Sequence, residues 1–249
     1  MEALGLSACF YNFMHKYLDD PSYTRPPSTS SAYPPQTETL KILKNIRSDA
    51  RFDDIPSTPG AIGIADLFKS HEKAILEHWN SWALPHPDEQ FKEAAATPVA
   101  LLVGTAYPSE QSKEYDFFIV HLLTTSHAVR ILLPIFPPQH HLPLLRQWFL
   151  FVIAVYIAQG RPKVDVGRFV DMDLKGRGWE FVEKEAREGD WSFDAHFVKA
   201  LRSMEVAART WSGDEKMKDF YLKGAVRMAE EYNGWGGFGA LGEEEGGGH

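Results

Sequence analysis

The sequence predicts an all-α protein, a compact bundle of about seven to nine helices around a buried central pair of hydrophobic helices. Three observations carry this. Apolar residues recur at helical spacing along most of the chain. Two stretches, 114–133 and 147–159, are apolar almost all round, as buried helices are. No run alternates β-branched and polar residues between hairpin-turn signals.

In chain order, residues 1–36 read as a short amino-terminal piece and a linker. Phe10, Phe13 and Tyr17 need a surface to dock on, and the Pro-, Ser- and Thr-rich run from Pro21 to Gln36 predicts irregular backbone. Residues 37–233 read as one helical domain. Leu40, Ile42, Leu43 and Ile46 share a face of the first helix, which Thr37 or Thr39 can cap. After Ser57–Gly60, a helix carries Leu67, Phe68, Ala74, Ile75, Trp79 and Trp82 until Pro85. A further helix is expected over 88–105, with Asp88 and Glu89 at its positive end.

The central pair follows: 114–133, stopped by Pro134, and 141–159, stopped by Gly160. Helices over 180–188, 193–209 and 214–232 complete the domain. The Gly- and Glu-rich residues 234–249 are expected to be a disordered tail.

Composition narrows function. A net charge of −8, with no basic block, argues against nucleic-acid binding, which needs clustered Lys and Arg against phosphate. The apolar core of 147–159 falls short of the roughly 20 residues that span a bilayer, so a core helix and no membrane are expected. A single cysteine, Cys9, excludes an internal disulfide and accords with a reducing, cytoplasmic setting. The first thirteen residues lack the basic region of a secretory signal.

The common catalytic and nucleotide-binding motifs, HExxH, CxxC, GxGxxG, the Walker loop and GxSxG, are absent. What stands out is His, Lys and Asp within apolar helices. His121 shares a helix face with Thr124 and Thr125. His127 lies about 120° round and about 9 Å along from it, so at most one of the two can be a ligand to one metal. Spacing equally allows His121 to be a core histidine held by a backbone or threonine hydrogen bond. His196 and Lys199 share a face in Asp194-Ala-His196-Phe-Val-Lys199. Lys199 is either paired, deprotonated or snorkelling from an apolar helix, or a surface residue beside a helix start capped by Asp194. His71 and His78 read as one amphipathic surface, and His140 and His141 as exposed.

Three blocks resemble the questin oxidase family of fungal secondary metabolism: Asp116-Phe-Phe-Ile-Val-His121 with the following Thr-Thr-Ser; Leu144-Leu-Arg146 with Tyr156–Pro162; and Asp194-x-His196-x-x-Lys199-x-x-Arg202. They fall within residues 61–228, and the resemblance is to the carboxy-terminal half of proteins about twice as long, whose other half carries further histidines. It implies an all-helical oxidoreductase performing oxygen-dependent oxidation and ring opening of a polycyclic aromatic polyketide of the anthraquinone type. It also implies Baeyer–Villiger-type chemistry with NADPH, or non-heme iron. On that reading His121 is an iron ligand, Lys199 the ligand carried as a carbamate, and His196 a supporting residue outside the metal's own coordination sphere. The alternative is a truncated, non-catalytic member, or a helical binding protein for aromatic metabolites.

Overall fold

The computed structural model describes residues 14–17, 20–24, 33–105 and 114–239. Among these are eleven α-helices, nine of them eight residues or longer, so the all-α expectation holds. They are α1 (Pro21–Thr24), α2 (Thr39–Arg47), α3 (Ile64–Asn80), α4 (Pro87–Ala94), α5 (Thr97–Gly104), α6 (Phe117–Leu132), α7 (His141–Ala158), α8 (Gly167–Val170), α9 (Trp179–Glu188), α10 (Ala195–Thr210) and α11 (Glu215–Glu231). Two short strands, β1 (Tyr115–Asp116) and β2 (Trp235–Gly236), pair in parallel, with Tyr115 opposite Trp235.

Several boundaries differ from expectation for local reasons. The stretch from Pro21 is not wholly irregular: α1 starts on Pro21, and Asp20 accepts from the Ser22 N–H at 2.8 Å. Neither Thr37 nor Thr39 caps α2. Thr39 is buried instead, its hydroxyl 2.6 Å from that of Thr97. The single helix expected over 88–105 is two. Pro98 has no N–H to give to a preceding turn, so it starts α5 rather than continuing α4. Of the amino-terminal piece, Met14 and Tyr17 dock into the core, and the Tyr17 hydroxyl donates to Glu72 at 2.5 Å. Cys9, Phe10 and Phe13 lie outside the described residues.

The tail expected to be disordered from Gly234 is ordered through Gly239. Trp235 packs on Tyr232 at 4.9 Å between ring centroids, and the backbone joins β1. Residues 240–249 lie outside the described residues.

The central pair packs as expected, α6 against α7, with α7 buried along nearly all its length and Phe151 exposed. The turn Pro138–His140 extends α7, and 138–158 is long and apolar enough to cross a membrane by length and composition; 67% of its most apolar 18-residue window is buried within the fold. Helix α6 leaves one stripe open: His121, Thr125, Ala128 and Ile131 are exposed, at the spacing of a single face. Its other faces meet α5, α7 and α10.

Candidate functional site

Two candidate regions flank the first turn of α6. Asp116 caps that helix, its Oδ1 accepting the N–H groups of Phe118 and Ile119 at 2.8 and 2.9 Å. Asp194 caps α10 in the same way, accepting from His196 and Phe197 at 2.8 and 2.9 Å. Helices α6 and α10 pack together. The first turns of the two helices thereby bring Phe117, His121 and His196 into one cluster.

In that cluster the Phe117 ring lies 4.9 Å from the imidazole of His121 and 4.7 Å from that of His196. The two imidazoles are 5.1 Å apart between centroids. Trp235 and Phe238 close over Phe117 at 5.9 and 5.4 Å. The sequence pairs His121 with Thr124 and Thr125, but both hydroxyls donate to its backbone carbonyl, not to the ring. Its Nδ1 is 2.7 Å from the Phe117 carbonyl, which leaves Nε2 facing outward. The imidazole of His196 is half-buried. Burial lowers its pKa, and neighbouring His121 and Lys199 lower it further.

Lys199 lies near this pair but is exposed. It matches the surface alternative, beside a helix that Asp194 caps. It is not enclosed within the fold, as the carbamate reading of the resemblance would require. Among the described residues no three His, Cys, Asp or Glu side chains are grouped to hold a metal ion. An iron centre with open positions ordinarily takes two histidines and a carboxylate. Here two imidazoles are the whole offer, because Asp194 is engaged by two helix N–H groups, the Tyr232 hydroxyl at 2.9 Å and the Trp235 indole at 2.8 Å. The described residues therefore do not by themselves fit a resident iron.

Four other histidines are held by partners within the fold. His127 bonds Arg130 at 2.8 Å. His78 is fully buried, not on an amphipathic surface, and bonds Asp49 at 2.8 Å; His71 bonds Asp54 at 2.9 Å. Phe52 packs between the two rings, which fills the surface that their spacing had suggested was open. His141 bonds Asp88 and the Phe136 carbonyl.

The second region is a cavity of about 520 Å³ on the other side of Asp116. Leu102 and Ile119 contribute apolar wall, and Gln159 and Asp116 polar wall. Gln159 is placed by the end of α7. Gly160 turns left-handed at φ +78°, a conformation suited to glycine, and a side chain there would strike the Ser57 backbone. With its amide oriented to satisfy both neighbours, Gln159 donates to Asp116 Oδ2 at 2.8 Å and to the Gly237 carbonyl at 3.1 Å. Gly237, at φ +86°, lies so close to the Asp116 carboxyl that a Cβ would sit 2.6 Å from it. Burial pushes the Asp116 carboxyl up to about 6, against the pull of the Ile119 and Phe118 N–H groups. Sequence reasoning missed Asp116 as a site residue and Gln159 altogether. The available signal was an Asp directly before an apolar helix, which reads first as a cap.

A family model described as questin oxidase-like matches residues 1–204. A Baeyer-Villiger oxidase of Pestalotiopsis microspora is 25% identical over 212 residues, covering 79% of this chain and 46% of its own length. The chain thus spans about half the length of the curated relative it matches.

Proposed function

Because the chain belongs to the questin oxidase-like family, we propose that it serves as an oxidoreductase of secondary metabolism. In this reading it carries out oxygen-dependent oxidation and ring opening of an anthraquinone-type polyketide. The observation that carries the reading is that two sequence blocks 75 residues apart converge, setting His121 and His196 5.1 Å apart on an aromatic wall. The similarity of 79% of the chain to a Baeyer-Villiger oxidase supports the same class.

In a Baeyer–Villiger insertion one oxygen atom enters between a carbonyl carbon and its neighbour. The other leaves as water, on two electrons from a reduced nicotinamide. Phe117, Trp235 and Phe238 offer ring faces on which a flat substrate can stack. His196, whose neutral form is favoured by burial and by the neighbouring His121 and Lys199, can take a proton from a phenolic hydroxyl beside it. A redox metal, if one takes part, needs ligands beyond the two imidazoles. NADPH would be the source of those two electrons.

The exposure of Lys199 and the bare imidazole pair favour a second reading, a helical binding protein for aromatic metabolites that does not turn them over. One experiment separates the two. The purified chain, with and without Fe(II), is incubated with a hydroxyanthraquinone, oxygen and NADPH. Gain of one oxygen in the product, lost in His196→Ala, supports the oxidoreductase. Binding with no oxygen incorporated in either condition supports the binding protein.

A further inference from the structure

We propose that the cavity beside Asp116 is a binding site for a neutral, largely apolar ring compound bearing a hydroxyl group, and that Asp116 Oδ2 accepts that hydroxyl's hydrogen. The ring class rests on the function proposed above; the hydroxyl is argued from the carboxylate alone. Oδ1 of Asp116 takes two backbone N–H groups, which uses its acceptor capacity. Oδ2 takes one hydrogen from Gln159, which leaves room for one further donor. The side chain is partly accessible and lines the cavity, so a hydroxyl on the cavity's occupant can reach that position.

The walls define the remainder of the ligand. Leu102, Ile119, Pro59 and Pro162 supply apolar surface, and about 520 Å³ lies in the range of small-molecule sites. The charged groups facing Asp116 are Arg47 from α2, Glu114 ahead of β1, and Lys163, Asp165 and Arg168 after α7. All but Arg168 are exposed, so they form the rim, and their signs nearly balance. A strongly charged ligand gains little there. A neutral ring with one hydroxyl satisfies the carboxylate and buries its body on the apolar walls.

The test is equilibrium binding of 2-hydroxyanthraquinone, whose hydroxyl is not tied to its own quinone carbonyl, and of unsubstituted anthraquinone to the full chain, by calorimetry, across pH 5 to 7. Asp116→Asn keeps the helix cap and removes the anionic acceptor. The hydroxylated probe is expected to bind Asp116→Asn about tenfold more weakly or worse, with the unsubstituted probe unchanged. On the wild type, affinity for the hydroxylated probe should fall as pH drops through about 6, the pKa to which burial raises Asp116. This second measurement needs no variant to fold. Equal binding of the hydroxylated probe by Asp116→Asn and wild type, or a flat wild-type profile, overturns the proposal. So does loss of binding in His196→Ala with Asp116→Asn unaffected. Binding with the expected discrimination but no turnover would leave this site standing and overturn the oxidoreductase reading; turnover indifferent to Asp116 would do the reverse.

Discussion

The indole Nε1 of Trp235 donates to Asp194 Oδ2 at 2.8 Å, so the last strand is tied to the carboxylate that caps α10. The Tyr232 hydroxyl reaches the same oxygen at 2.9 Å. Asp194→Ala should cost about 2–4 kcal/mol, from the lost cap and two orphaned donors. Trp235→Phe should cost about 1 kcal/mol. In the double variant the costs should fall short of their sum, because both remove the same bond. Urea denaturation of the three variants checks this.

The same carboxylate gives a pH signature. Burial raises the Asp194 pKa, but the N–H of Phe197, the Tyr232 hydroxyl and the Trp235 indole outweigh it and hold the group below its usual range. A lowered folded pKa means the stabilisation is complete above the unfolded value and is lost as pH falls through the folded one. Asp194→Asn should therefore lose part of the wild type's decline in stability below about pH 4, read from melts across pH 2 to 6.

Asp116 has the opposite sign. Its folded pKa of about 6 exceeds the ordinary 3.8, so its contribution is full below the unfolded value and lost as pH rises through 6. Above that, the buried carboxylate costs up to about 3 kcal/mol. Asp116→Asn should thus gain stability over wild type by about 1–3 kcal/mol between pH 4 and pH 8. Gln159 can turn its amide to meet the new group. Denaturant melts at the two pH values decide it; an unchanged difference would show that the carboxyl is not raised.

His196 should titrate below a free histidine in NMR spectra. Burial is the first cause, and the neighbouring His121 and Lys199 are the next. His121→Phe and Lys199→Met should each move the titration upward, whereas a remote substitution such as Lys69→Met should leave it in place.

Arg146 is fully buried, and among the described residues no carboxylate pairs with it. Its guanidinium stacks on Trp79 at 4.1 Å and donates to Asn80 Oδ1 at 2.7 Å, and burial alone lowers its pKa to about 10. Removing a poorly paired buried charge while keeping the volume is often neutral or stabilising. Arg146→Met should therefore change stability by no more than about 1 kcal/mol, whereas Arg146→Ala, which leaves a cavity, should cost about 3–5 kcal/mol. Thermal melts of the two variants distinguish volume from charge.

The sequence by itself determined the all-helical class, the Gly160 stop, the Asp194 cap and the position of the central pair. These rest on periodicity and on capping chemistry within a few residues, and both are local. It also placed His121, His196 and Lys199 in recognisable blocks. Tertiary structure decided which way they face. His121 falls on the exposed stripe of α6, and Lys199 on the open side of α10, although both sit in apolar runs. Packing alone set two imidazoles from different helices 5.1 Å apart, and buried His78, whose spacing reads as surface. The Asp116 cavity joins α2, α5, β1, α6, the end of α7 and β2, segments separated by up to about 190 residues in the sequence. No local pattern encodes such a meeting, because the free energy that assembles it comes from burying apolar area between segments, not from order within any one of them.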